Sequence, residues 1–166
     1  MINIIKGNLL DSDCDYICHQ VNCMGKMNSG VAKAIREKWP SVFKHYEELC
    51  ESWHAWAHAH YDQNLEQHAI RAMLGIAQLV PISETQTVIN LFGQGYFGYD
   101  GKRYTSYDAF WMCLGEIKNR VPKGSKIAFP YNIGCCRGGA NWEVIYAMIV
   151  AVLNEDYDIY FYKLEE

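Results

Sequence analysis

No stretch of the chain stays apolar for the roughly 18 residues that a membrane-crossing helix needs. The opening, Met1-Ile2-Asn3-Ile4-Ile5-Lys6-Gly7, is too short and too soon interrupted to act as a secretory signal. These two absences together give a cytoplasmic expectation. No long basic run exists and the formal charge is -4, which argues against broad electrostatic binding to nucleic acid. A compact nucleotide needs no such field. No C-x-x-C spacing marks a zinc site. The seven cysteines are odd in number in a chain that is not small, so reduced thiols are expected rather than a disulfide framework. Internal repeats, low-complexity tracts and a domain break are also missing. What remains is 166 residues, half of them apolar, enough for one domain with a real core.

The richest stretch is Tyr131-Asn132-Ile133-Gly134-Cys135-Cys136-Arg137-Gly138-Gly139-Ala140-Asn141-Trp142. It follows a short apolar run, residues 126–130, and precedes a helical pattern over residues 142–153. A strand entering a glycine-rich loop that opens a helix can turn several backbone N–H groups toward one point. The partial positive charge of the helix start is expected to add to them. The natural guest is an anion, a phosphate above all, although glycines also serve such turns for steric reasons alone.

Strands are expected at residues 2–5, 16–21, 73–81, 87–92, 126–130 and 158–164, with a turn at 7–10. Helical spacing covers 31–39, stopped by Pro40, then 41–56, 107–121 and 142–153. Residues 51–68, rich in His, Trp and Ala, read as an extended helical connection. Alternating strands and helices predict a three-layer α/β/α sandwich with a mixed sheet, as a single domain over 1–166. Ligands of such sheets gather at the carboxyl ends of strands. Three loops meet that condition: 22–30, 93–104 and 134–141.

Several side chains have two readings each. His19 ends a strand and titrates near neutrality, so it either moves a proton or is a hydrogen-bonded core histidine. Asp100 and Lys102 share a loop with Tyr96, Phe97, Tyr99 and Tyr104; they are candidate catalytic charges or the tip of an exposed hairpin. Cys135 and Cys136 stand near a helix start, where a thiolate is favoured. Small residues packed under a phosphate loop are the plainer account of them. Arg137 can pair with a phosphate or face solvent. His54 and His58 share a helix face at metal-binding spacing, but with His68 as the only further ligand they read as surface decoration, and no metal is expected.

These residues resemble a macrodomain, the ADP-ribose-binding α/β/α module. The resemblance covers nearly the whole chain. It is carried by Lys6-Gly7-Asn8-Leu9, by His19-Gln20-Val21-Asn22-Cys23-Met24-Gly25 with Ser29-Gly30-Val31-Ala32, and by Ile133-Gly134-Cys135 with Trp142-Glu143. It is nearest to the branch of the terminal ADP-ribose protein glycohydrolase and the DNA ADP-ribosyl glycohydrolase antitoxins. The His-x-x-Asn-Cys element is also similar to that of the yeast ADP-ribose-1″-phosphatase.

The resemblance implies that Asn8 and Leu9 lie beside the adenine and that Asn22 lies by the distal ribose. Ser29, Gly30 and Val31 would cradle one phosphate; Gly134, Cys135, Cys136, Arg137 and Gly138 would cradle the other. The chain departs from that branch where a catalytic Lys follows the middle strand, since Gln94 stands there, and where an Asp stands in the second glycine loop, since Gly138 stands there. His19, Asn22, Gln94, Asp100 and Lys102 are the resulting catalytic candidates. The implied activity is hydrolysis at the distal ribose C1″ of an ADP-ribosylated protein or nucleic acid, or of a small ADP-ribose derivative. The alternatives are a non-catalytic ADP-ribose reader, an ADP-ribose-1″-phosphate phosphatase, or another nucleotide-binding α/β module. No cofactor, no membrane partner and a monomer are expected.

Overall fold

A computed structural model describes residues 1–98 and 100–164; Tyr99, one of the loop aromatics named above, lies outside them. The strands are β1 (Ile2–Lys6), β2 (Tyr16–Val21), β3 (Ala77–Pro81), β4 (Thr87–Phe92), β5 (Lys126–Pro130) and β6 (Asp158–Lys163). They form one sheet in the order β1-β6-β5-β2-β4-β3. Only β3 runs antiparallel, against β4, so the sheet is mixed.

Period-two alternation sorts the side chains of the sheet into two cores. Cys18, Ile89, Leu91, Ile127, Phe129 and Phe161 face α4 (Tyr107–Arg120) and α5 (Trp142–Leu153). On the other side, Ile17, Val21, Val80, Val88 and Phe92 face α1 (Gly30–Lys38), α2 (Pro40–His60) and α3 (Leu65–Met73). The result is the expected three-layer sandwich. No helix of the described residues is long and apolar enough to cross a membrane.

Four local expectations are corrected. Met73 is fully buried and closes α3 rather than opening a strand. Gly75, at φ +95°, turns the chain before β3 begins at Ala77. Residues 51–68 are not one connection: α2 runs on to His60, and a turn precedes α3, with Tyr61 stacked on His68 at 3.6 Å. Pro40 does end α1, but it also opens α2 at the position where a missing N–H costs nothing. Residues 9–11 form a short 3-10 turn capped by the Asn8 side chain.

Candidate functional site

Strand β2 sits between β5 and β4. Its chain leaves toward α1 on one face, whereas β5 leads to α5 on the other. The carboxyl ends of these strands therefore frame a crevice of the kind that receives ligands in open α/β sheets. A cavity of about 310 Å³ lies there, and the loops after β2, β4 and β5 all line it.

The first wall is residues 22–30. Asn22 is 9% exposed and organises the loop. Its Oδ1 accepts the N–H of Met24 at 2.9 Å and lies 2.7 Å from the Tyr46 hydroxyl; its Nδ2 donates to the Lys26 carbonyl at 2.9 Å. Tyr46, fully buried on α2, also accepts the Lys26 N–H at 3.1 Å. His54, about two turns further along α2, lies 3.0 Å from the Cys23 carbonyl. The aromatic segment thus buttresses the loop from behind rather than covering the cleft. Tyr46→Phe is expected to cost about 1–2 kcal/mol, the penalty for unpairing buried polar groups, measured by urea unfolding. An unchanged stability would show that the loop holds without it. The same loop leads into α1, whose start has no side-chain cap and no acid in its first turn. The N–H groups of Gly30, Val31 and Ala32 therefore present an uncompensated positive helix end to the cavity they line.

The second wall is the glycine loop. Among the described residues no acceptor takes the N–H of Gly134, Cys136 or Gly138, and all three residues line the cavity. Cys135 differs from the expectation for it. Its N–H is spent on the Asn132 carbonyl at 2.9 Å, and it is not part of the cavity wall. Its thiol donates to the Ile133 carbonyl, and burial pushes it up to about 11, so it is no thiolate at neutral pH. Cys136 is exposed in the wall. The start of α5 does not join this cradle: Asn141 caps it through Glu143 N–H, and Glu143 puts an acid in its first turn. The anion donors are the loop amides upstream.

Between the walls lie neutral amides. Gln20 Nε2 donates to Gln94 Oε1 at 2.7 Å and to Thr105 Oγ1 at 2.8 Å. Thr105 in turn donates to the Gly134 carbonyl at 2.8 Å, and Gln94 Nε2 donates to the Tyr96 carbonyl at 2.8 Å. One chain of hydrogen bonds thus ties the ends of β2 and β4 to the second wall. His19 is 1% exposed and lines the cavity, with Nε2 paired to Asn90 Oδ1. Burial lowers its imidazole to about 4, so the ring is neutral at physiological pH and has no acidic proton to give.

Of the residues expected at the site, the structure brings His19, Asn22, Ser29, Gly30, Val31, Gln94, Gly134, Cys136, Arg137 and Gly138 to the cavity wall. Asn8, Leu9, Asp100 and Lys102 are not in its wall. The side-chain carbonyl of Asn8, a residue expected beside the adenine, accepts the Leu10 N–H at 3.0 Å. Asp100 and Lys102 form an exposed tip: Lys102 Nζ is 3.8 Å from Asp100, which also accepts the Tyr104 hydroxyl at 2.9 Å. The backbone N–H of Lys102 and that hydroxyl lower the Asp100 carboxyl. His54 and His68 are occupied as described, and no group of three metal-ligating side chains occurs among the described residues. Sequence reasoning did not single out Gln20, Lys26 or Asn28, all in the wall. Their position inside the 19–30 motif was the available signal.

No family model matches the chain. A DNA ADP-ribosyl glycohydrolase of Mycobacterium tuberculosis is 35% identical over 51 residues, which are 31% of this chain and 14% of that protein. An ADP-ribose 1″-phosphate phosphatase of Aspergillus oryzae is 34% identical over 53 residues, 31% of this chain and 26% of that protein. The stretches matched are thus small parts of both relatives. Similarity of fold extends much further. The macrodomain of Thermus aquaticus DarG superposes with a TM-score of 0.70 at 20% identity, covering 98% of this chain and 97% of that one. Thermosipho africanus DarTG in complex with ADP-ribose gives 0.71 at 15% identity, covering 98% of this chain and 41% of that one. The layers, the strand order and the cleft between two amide walls are accounted for together by one conclusion, that this chain has the macrodomain fold.

Proposed function

We propose that the cleft binds ADP-ribose and that the chain hydrolyses the bond at the distal ribose C1″ of ADP-ribosylated macromolecules or small ADP-ribose derivatives. The observation that carries the reading is the pair of facing walls. The open start of α1 and the free amides of Gly134, Cys136 and Gly138 donate from opposite sides of one cavity. A diphosphate is the anion with two centres to fill such walls. The distal ribose then falls at the end where the 22–30 and 93–98 loops meet, joined by Cys23 N–H to the Gly95 carbonyl at 2.9 Å.

Hydrolysis there asks mostly for positioning. The bond from C1″ to the leaving atom breaks with oxocarbenium character, stabilised by the adjacent phosphate, and water adds to C1″ while the leaving group takes a proton. Gln94 has no ionisable group and serves to orient the water. Lys26 is the one ammonium in the wall among the described residues. A second reading, a binder without chemistry, is favoured by one observation: among the described residues the wall holds no carboxylate to act as base.

Calorimetric titration with ADP-ribose, ADP and AMP tests the binding. The expected result is a dissociation constant of about micromolar for ADP-ribose, roughly −8 kcal/mol, and at least about tenfold weaker binding of ADP, each tenfold being 1.4 kcal/mol. Absence of ADP-ribose binding overturns the proposal. Incubation with glutamate-linked, DNA-linked and 1″-phosphorylated ADP-ribose then separates hydrolase from binder by whether free ADP-ribose appears.

A further inference from the structure

The wall of the cleft carries charge of one sign. Lys26 and Arg137 stand in it, and among the described residues no Asp or Glu does. Lys26 is the informative one. Of the described carboxylates, none lies within ion-pair distance of its Nζ. Its backbone, by contrast, is gripped from both sides by buried polar groups. The N–H donates to the Tyr46 hydroxyl at 3.1 Å, and the carbonyl accepts Asn22 Nδ2 at 2.9 Å. Tyr46 and Asn22 are both buried, whereas Lys26 is exposed. A lysine on open surface needs no such anchoring. Here two buried groups fix the root of an unpaired ammonium in the wall of a ligand cleft.

The diphosphate already meets amide donors at the start of α1 and in the glycine loop. Lys26 belongs to neither set. It shares with Asn22 and Cys23 the loop that meets residues 93–98 through the Gly95 carbonyl, the end of the cleft where the distal ribose falls. An ammonium there cannot favour the cationic C1″ of the transition state, because like charges repel. What it favours is negative charge on the group that leaves from C1″. Protonating that group instead would need an acid. Among the described residues the wall holds no carboxyl group, and His19 Nε2 is held by Asn90 Oδ1.

We infer that Lys26 recognises the oxyanion that leaves from C1″, a phosphate or a carboxylate, and that the substrates of the cleft are ADP-ribose joined through oxygen to such a group rather than through nitrogen to a base. The inference rests on ADP-ribose occupying the cleft and names the class of its leaving group. In hydrolysis the C1″–O bond breaks and its electron pair stays on the leaving oxygen, beside the Lys26 ammonium. The oxygen of water bonds to C1″, and the proton it sheds passes to bulk water or to the departed anion. Lys26 acts through its charge and keeps its own protons.

Calorimetry with two uncleavable probes tests this: ADP-ribose carrying a methylenephosphonate, or a carboxymethyl group, on C1″ in place of the hydroxyl. At least one should bind about tenfold or more tighter than ADP-ribose, the scale of one charge-assisted hydrogen bond. Which of them does so identifies the leaving group as phosphate or carboxylate. Lys26→Gln should erase that preference, whereas Lys26→Arg, always charged, should keep most of it. Neither probe binding tighter than ADP-ribose overturns the inference. So does a Lys26→Gln chain that loses affinity for ADP-ribose and for the preferred probe by the same factor, since the ammonium then serves the diphosphate. Lack of any ADP-ribose binding removes the earlier proposal, and this one with it, and is read separately from ADP-ribose binding without preference for a charged probe.

Discussion

Gly138→Ala is expected to weaken ADP-ribose binding by about 100-fold or more while leaving the fold in place. The new Cβ would overlap the Gly134 carbonyl oxygen and Thr105 Oγ1. Neither can withdraw easily. The Gly134 carbonyl accepts Thr105 Oγ1 at 2.8 Å and the Ala140 N–H at 3.0 Å. The Gly138 carbonyl itself takes the N–H groups of Tyr104 and Thr105 at 2.8 and 2.9 Å. The loop can relieve the overlap only by opening, which displaces the Gly134, Cys136 and Gly138 amides in the cavity wall. Two hydrogen bonds to a charged phosphate, at about 1.5 kcal/mol or more each, account for about 3 kcal/mol, and hence for roughly 100-fold in affinity. Gly101→Ala is the control. Gly101 has φ +77° on an exposed turn with open space around it, so alanine there costs about 1–2 kcal/mol of backbone strain and leaves binding alone. Calorimetry of both variants decides the matter. Binding by Gly138→Ala within threefold of the unsubstituted chain would show that this loop does not hold the phosphate.

The layers of the fold were legible because strands have a period. In β2 and β4 the alternation sends Ile17 and Val88 to one core and Cys18 and Ile89 to the other. The three loops of the cleft were legible for a related reason: each follows a strand and carries glycine. Boundaries near glycine were less so. A run from Met73 to Pro81 is apolar enough for a strand, and only Gly75 divides its helical beginning from β3.

Within the site, sequence spacing identified the loops but not which group of each residue is used. Cys135 and Cys136 are adjacent and chemically alike, yet one amide is closed by Asn132 and the other is open. Loops have no period from which that could be read. Asp100 and Lys102 are near Gln94 in sequence, but the tip they share with Tyr104 holds them out of the wall. Gln20 was passed over because a polar residue on a strand has many uses. Its role appears only where Gly93, Gly134 and Thr105 meet it, and these come from three separate segments. The macrodomain resemblance placed Asn22 at the cleft, where the structure also puts it, although its side chain is largely taken up in shaping the loop.

The second large effect concerns acid stability and comes from His19. Burial holds its folded value at about 4, below the ordinary 6.5, because a charged ring cannot be solvated beneath α2 and α3. As pH falls below 6.5 the unfolded chain takes up a proton that the folded chain refuses. Stability is therefore full above 6.5 and is lost progressively toward 4. Between pH 7.5 and 5 the loss should be about 2 kcal/mol, following 1.36 kcal/mol for each pH unit of separation. In urea that lowers the midpoint by about 1 M. His19→Gln keeps an N–H for Asn90 Oδ1 and cannot titrate, so its midpoint should fall by much less over the same range. Equal acid slopes in the two proteins would mean that His19 does not carry the effect, and that its ring accepts a proton in the folded chain. A simple unfolding series therefore reads the protonation state of a residue in the cleft wall as well as the stability of the sheet.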